Sequence, residues 1–393
     1  MSARRICVVT TSRADYGLLR WLVRAIQDDD DLQLQLIATG MHLSPEFGLT
    51  YREIEEDGFS VDRKIEMLLS ADTESAVTKS IGLGLTGFSA ALVELKPDIL
   101  VVLGDRFELL SAAIAALIAR IPIAHIHGGE TSQGAVDEGI RHAITKMSSL
   151  HFAATEEYRR RIIQMGENPD FVFALGAPGL DALEHVALMS RPELESHLDF
   201  RLVAPTALVT YHPVTLENHR AGEQIESLLA ALMQEGVRAV ITKANADTEG
   251  RLINQRLEEF CAGRATEYRL YENLGQRVYL SCLAHVDMMV GNSSSGLIEA
   301  PSFGLPVINI GDRQRGRIKA DNVIDVGYSV SDIAAGIRQA RSSSWREALA
   351  GLRNPFAGVG HGMVSLRIKE QLKLIDLDES LLKKRFHDVP LEP

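Results

Sequence analysis

Short apolar runs alternate with stretches of helical spacing along most of the chain. Residues 6–9 form an unbroken apolar run, and 17–27 then place Leu18, Leu19, Leu22, Val23 and Ile26 at helical intervals. Residues 32–39 open with strict alternation at Leu32, Leu34 and Leu36, the period of a strand. By the same criteria strands are predicted at 99–103, 123–126, 151–154 and 172–175, and helices at 109–119, 139–147 and 156–165. After a polar stretch at 189–201 the pattern restarts. Strands are predicted at 207–210, 239–242, 278–283, 288–290 and 307–310, and helices at 223–234 and 254–262. A last helix at 364–375 has no strand after it. Strands separated by helices imply parallel sheets with right-handed crossovers. The chain therefore reads as α/β, in two halves of residues 1–185 and 203–363.

Composition narrows the function classes. A length of 393 residues suits two domains of ordinary size. A net charge of −12 argues against nucleic acid as partner, though a few local cations suffice for an anionic small molecule. Cys7, Cys261 and Cys282 are far apart and form no CxxC pair, as expected of reduced thiols. The apolar run near the N-terminus is too short for a signal peptide. No window approaches the ~20 apolar residues of a membrane span. The expectation is a cytoplasmic protein.

Ligands of open α/β sheets bind beyond the carboxyl ends of the strands, and the polar motifs fall there. Thr11–Gly17 turns into a helix, where Arg13 suits a phosphate; Ser12 or Asp15 is equally a helix cap. Gly291–Gly296 encloses Asn292, Ser293, Ser294 and Ser295 between a strand and a helix, a good diphosphate cradle. Glu299 lies further along that helix, within reach of a ribose or simply solvated. Arg313, Arg315 and Arg317 gather cations in one loop, attracting an anion or only water. Asp105 and Arg106 follow one strand, as a base with a ligand-directed cation or as a structural pair. His125, His127, Glu130, Asp137, Glu138, Arg141 and His142 concentrate ionisable groups after another. His125, on the strand itself, fits a hydrogen-bonded core histidine. A metal is not expected, because no HExxH or cysteine partner accompanies them. His212, in a rigid Tyr-His-Pro turn, suits a phosphate or proton transfer; Asn245 and Asp247 are binding or turn residues.

Taken in order, SRADYG (12–17), TGMH (39–42), GDRFE (104–108), HIHGGE (125–130), DEGIRHAITKMS (137–148), HPVT (212–215), NADT (245–248), GNSSSGLIE (291–299) and INIGDRQRGR (308–317) resemble the hydrolysing UDP-N-acetylglucosamine 2-epimerases of the bacterial sialic-acid and legionaminic-acid type. The resemblance implies a GT-B fold, two Rossmann-like domains facing across a cleft, with the C-terminal helix region 364–385 packing back on the first domain. It implies UDP contacts from Arg13, His212, Asn245, Ser293, Ser294, Glu299 and Arg313, and a backbone contact to uracil at Leu274. Asp105, Arg106, His127, Glu130 and Asp137 would surround the sugar. In that chemistry a base removes the carbon-2 proton, UDP leaves carbon 1 by anti elimination, and water adds to the 2-acetamidoglucal. The resemblance makes Asp105 and Asp137 the acid/base pair, His127 an assistant and His212 a contact of the diphosphate. Many relatives carry Glu where this chain has His127, which gives Glu130 or Asp137 the larger share. No cofactor or metal is implied, and a homo-oligomer, dimer or tetramer, is.

Two substrates fit the resemblance, UDP-N-acetylglucosamine as the main reading and UDP-N,N′-diacetylbacillosamine as the alternative. UDP-N-acetylglucosamine would yield N-acetylmannosamine, an early step toward sialic-acid-type sugars. UDP-N,N′-diacetylbacillosamine would yield a legionaminic-acid precursor. The competing classes are a GT-B glycosyltransferase, a non-catalytic UDP-sugar sensor and a non-hydrolysing epimerase. The acid-rich 125–142 segment disfavours a transferase, and the DEGIRH and GNSSSG variants favour the hydrolysing branch.

Overall fold

The structure is a computed structural model that describes residues 3–71, 73–132, 136–214, 220–245, 247, 249–358 and 363–390. The chain divides into two units. The first comprises Met1–Glu130, Asp137–Glu184 and Phe356–Pro393, and the second Thr131–Val136 and His185–Pro355.

The first unit is built on a seven-stranded sheet ordered β3-β2-β1-β4-β5-β6-β7. Its strands are β1 (Arg4–Thr10), β2 (Leu32–Thr39), β3 (Arg63–Ile65), β4 (Ile99–Leu103), β5 (Ile123–Ile126), β6 (Leu150–Ala153) and β7 (Val172–Ala174). Every neighbouring pair is parallel. Strand alternation explains the unbroken apolar runs. Ile6 and Val8 of β1 pack with Leu19, Leu22 and Ile26 of the helix Arg13–Gln27 on one face. Cys7 and Val9 pack with Phe88, Leu92 and Ala112 on the other. The chain order reverses between β1 and β4, which opens a crevice at their carboxyl ends. The helix Val364–Leu374 adds Val364, Ile368 and Leu372 to this core. The Asp181 carboxylate accepts from the first amides of that helix, Val364 N at 3.1 Å and Ser365 N at 2.6 Å, and so caps it from a distance.

The second unit carries a six-stranded parallel sheet ordered β10-β9-β8-β11-β12-β13. Its strands are β8 (Thr206–Thr210), β9 (Arg238–Thr242), β10 (Tyr268–Tyr271), β11 (Met288–Gly291), β12 (Val307–Ile310) and β13 (Val323–Val326). One core joins Val209, Ile241, Val290 and Ile308 to Ile225, Leu228, Ile333 and Ile337 of flanking helices. The order again reverses at the first strand, between β8 and β11.

Two expectations are corrected. The predicted strand 278–283 lies inside the helix Gly275–His285. Val278, Leu280, Cys282 and Leu283 are all buried, so the segment shows no polar face and mimics a core strand. The second is that no window approaches a membrane span: the helix Glu74–Leu95, which the sequence pattern did not reveal, is long and apolar enough by length and composition to cross one. It nevertheless lends Phe88, Ala91 and Leu92 to the first unit's core, and its Ile81 carbonyl accepts from Ser111 Oγ at 2.9 Å.

Candidate functional site

In the first unit, β4 ends at Leu103 and delivers Asp105 and Arg106 just beyond the sheet. β5 ends at Ile126 and delivers His127 to Glu130. His127 has φ of +63°, a left-handed conformation that is uncommon outside glycine and concentrates at functional sites. Its Nδ1 lies 2.5 Å from Glu130 Oε1. Both residues are buried, and His127 Nε2 has no hydrogen-bond partner among the described residues. A carboxylate accepts only, so Nδ1 carries the proton and Nε2 is left with its lone pair in the neutral ring.

Asp137 opens the helix Asp137–Met147, and Arg141 lies one turn on, along the same face. Arg141 ties the cluster together. Its guanidinium pairs with Asp105, donates to the His127 carbonyl at 2.9 Å and lies 3.6 Å from Glu130 Oε2. Arg106 donates to Glu108 Oε1 at 3.1 Å, and burial raises the Glu108 carboxyl above its ordinary range. Arg13 pairs with Glu53 at 2.6 Å through Nε and keeps Nη1 buried without a hydrogen bond. Ser12 caps the helix by accepting from Asp15 N, one of the two roles expected for this turn.

Two histidines here are structural. His125 bonds the Gly104 carbonyl at 2.8 Å and Thr145 Oγ1 at 3.1 Å, and burial pushes its pKa down to about 3. His42 sits between Thr10 Oγ1 at 2.9 Å and Thr50 Oγ1 at 2.8 Å, likewise lowered by burial to about 3. His125 supports the carbonyl preceding Asp105 and so helps fix that strand end.

In the second unit, Asn292 is the organising residue. Its side chain accepts from His212 N at 2.7 Å and donates to His212 O at 2.8 Å. Its carbonyl accepts from Arg313 at 3.2 Å and from Gln314 at 2.7 Å. Asn245 N donates to His212 Nδ1 at 3.4 Å. The ends of β8, β9 and β11 and the loop after β12 are thereby joined around His212. Gly291 permits this approach. Its φ is +144°, and a Cβ there would stand 2.0 Å from the Thr210 carbonyl. Ser293 and Ser294 lead into the short helix Ser295–Ile298, Glu299 follows its end, and Ser293 Oγ accepts from Ser295 N at 3.4 Å. Leu274 stands at the start of the helix Gly275–His285. Thr215, Ala246 and Thr248, which belong to two of the quoted motifs, lie outside the described residues. Among the described residues no group of three or more His, Cys, Asp or Glu could hold a metal ion.

The model of the UDP-N-acetylglucosamine 2-epimerase family matches residues 24–373. The chain belongs to the UDP-N-acetylglucosamine 2-epimerase family. This family member is 42% identical over 390 residues to the GDP/UDP-N,N′-diacetylbacillosamine 2-epimerase (hydrolyzing) of Campylobacter jejuni, covering 99% of this chain and 100% of that one. It is 38% identical over 382 residues to the UDP-N,N′-diacetylbacillosamine 2-epimerase (hydrolyzing) of Legionella pneumophila, covering 97% and 98%. The hydrolysing branch expected from the motifs is thus borne out. A crystal structure of UDP-GlcNAc 2-epimerase from Neisseria meningitidis bound to UDP-GlcNAc superposes with a TM-score of 0.79 at 20% identity, covering 94% of this chain and 99% of that chain. The epimerase accordingly has the GT-B-type fold, with two parallel-sheet α/β domains.

Sequence reasoning overlooked the tie that Asn292 makes to His212, although Asn292 stood inside a quoted motif. It also overlooked Gln314 and Glu108. The signal for Arg141 was its spacing four residues after Asp137 on a helix.

Proposed function

We propose that this epimerase hydrolyses UDP-N,N′-diacetylbacillosamine, releasing UDP and the free 2-epimeric sugar. The observation that carries the reading is similarity over nearly the whole chain to two relatives bearing that activity in their names, at 42% and 38% identity. UDP-N-acetylglucosamine, giving N-acetylmannosamine and UDP, is the second reading, and the description of the family model favours it.

The residues of the first unit supply the acid/base groups. A base takes the carbon-2 proton, the carbon-1 to phosphate-oxygen bond breaks, and its electron pair leaves with UDP. The 2-acetamidoglucal then gains hydroxyl from water at carbon 1 and a proton at the opposite face of carbon 2. Asp105, Asp137 and His127 share the proton transfers. The Nε2 lone pair of His127 is the free end of a dyad whose other end, Glu130, holds the ring and stabilises its protonated form. Glu130, fully buried, acts through His127. Arg106 contacts the sugar. Residues of the second unit hold UDP: His212, Asn245, Ser293, Ser294, Glu299 and Arg313, with Leu274 at uracil. Cations and amide donors at the diphosphate stabilise the leaving group.

Three unpaired cysteines, Cys7 and Cys282 buried, support a cytoplasmic location. Exposed Val93, Leu117 and Ile118 support a homo-oligomer, which light scattering on the purified protein would count. The substrate assignment is tested by measuring kcat/KM for UDP release with each UDP-sugar. A preference for UDP-N,N′-diacetylbacillosamine supports the first reading, a preference for UDP-N-acetylglucosamine the second. Release with neither moves a glycosyltransferase or sensor to the front.

A further inference from the structure

The C-terminal tail of the chain enters the first unit at a point where the chemistry described above has no need of it. Lys384 donates to three oxygens at once. Its ammonium lies 2.9 Å from the Lys146 carbonyl, 2.5 Å from the Ser148 carbonyl and 2.6 Å from Glu167 Oε2. An ammonium has three donors, so its capacity is filled. The Lys146 carbonyl lies in the last turn of the helix Asp137–Met147 and the Ser148 carbonyl directly follows its end, where the carbonyls have no intrahelical partner and carry the negative end of the helix dipole. Lys384 is therefore a C-terminal cap supplied from 236 residues away in sequence.

The anchor beneath it is buried. Glu167 also accepts from Lys146 Nζ at 2.6 Å and from His151 Nε2 at 3.1 Å. Burial alone would raise the Glu167 carboxyl, but these donors outweigh it and hold its pKa down to about 2. The neighbouring tail residues are seated as specifically. The Phe386 ring occupies the space a Cβ would need at Gly166, whose φ is +87°, and Lys146 Nζ lies 5.2 Å from the ring centroid. His387 N donates to the Gly166 carbonyl at 2.9 Å.

The capped helix is the one that carries the proposed chemistry at its other end. Asp137 is its first residue, and Arg141 pairs with Asp105 and holds the His127 carbonyl. We infer that the tail segment 384–387 is a latch, and that Lys384 is a positioning residue that sets the helix Asp137–Met147 so that Asp137 and Arg141 meet the reacting groups. The inference rests on the proposed function for its effect on turnover, while its effect on the helix stands independently. A helix behaves as a rod, so loosening its capped end shifts Asp137 at the other end and Arg141 one turn in from it. Displacements near 1 Å cost up to about 100-fold in rate.

The test compares wild type with Lys384→Met, which keeps the aliphatic stem, and Lys384→Arg, which keeps the charge. Amide exchange across 137–148 is measured by mass spectrometry, together with kcat and KM for UDP release and the affinity for UDP. Lys384→Met is expected to speed exchange in the last turn of the helix, lower kcat by about 10- to 100-fold, and leave the affinity for UDP unchanged. Lys384→Arg is expected to recover most of kcat. Unchanged exchange in the helix, or faster exchange with kcat intact in an active enzyme, overturns the inference. So does a uniform rise in exchange throughout the first unit, because that marks a general stability role. A wild type that turns over neither UDP-sugar refutes the proposed function instead, and the exchange data then judge the latch alone.

Discussion

Replacing Glu130 by Gln keeps the shape of the side chain and removes its charge. Glu130 is fully buried, and its Oε1 lies 2.5 Å from His127 Nδ1. A hydrogen bond to a charged group contributes about 1.5–3 kcal/mol. Its loss falls chiefly on the state in which His127 has accepted a proton, because the negative carboxylate stabilises the imidazolium more than the neutral ring. At about 1.4 kcal/mol per factor of ten, kcat should fall about 10- to 100-fold. Gln also presents a donor to Nδ1, which allows the other tautomer and blocks Nε2 as a base; that adds to the loss. KM and UDP affinity should change little, because the UDP contacts assigned here are elsewhere. The assay is initial-rate UDP release, with titration calorimetry for UDP. A kcat within about twofold of wild type would remove the His127–Glu130 dyad from the mechanism. Equal losses of kcat and UDP binding would show that the substitution damages the fold rather than the dyad.

Four further outcomes are expected. Asn292→Ala should weaken UDP binding at least tenfold by calorimetry and lower stability by about 2–5 kcal/mol in urea, because it removes both side-chain bonds to the buried backbone of His212. Gly291→Ala should fail to give soluble folded protein or should lose more than about 3 kcal/mol, since its Cβ would meet the Thr210 carbonyl at 2.0 Å; a Tm within a few degrees of wild type would contradict this. His125 is held neutral, its pKa lowered by burial from 6.5 to about 3, so its stabilising contribution is present above pH 6.5 and lost as pH falls toward 3. His125→Asn should make the acid side of the stability curve shallower in that window by up to about 1.4 kcal/mol per pH unit, measured by urea unfolding at several pH values. Glu167, lowered from 4.5 to about 2, contributes stability present above pH 4.5 and lost toward pH 2, and Glu167→Gln should flatten that segment of the same curve.

Legibility from sequence followed physical clarity. Central parallel strands are buried on both faces, and the runs at Ile99–Leu103, Ile123–Ile126 and Val307–Ile310 were bounded correctly for that reason, while Leu32–Thr39 was legible from its period-2 opening. Of the edge strands, Val172–Ala174 was legible, whereas Arg63–Ile65, Tyr268–Tyr271 and Val323–Val326 were not. Arg63–Ile65 is three residues long and starts with two cations, and Tyr268–Tyr271 is interrupted by Arg269. The helix Gly275–His285 was mistaken because its apolar residues fill several faces. In the site, polar residues at strand ends pointed to Asp105, His127 and His212 without revealing their partners. The Asn292–His212 bracket joins residues 80 apart, and the Lys384 cap spans 236. Such pairings have no local period and emerge only when the strands are ordered.

The central claim is that carbon 2 exchanges its proton while the bond to UDP is broken. The most direct measurement is an NMR time course in deuterated water with UDP-N,N′-diacetylbacillosamine and, separately, UDP-N-acetylglucosamine. The account predicts UDP and a free 2-epimeric sugar carrying deuterium at carbon 2, from at least one of them. Free sugar that retains protium at carbon 2 and its original configuration would contradict it, as would a 2-epimer still linked to UDP.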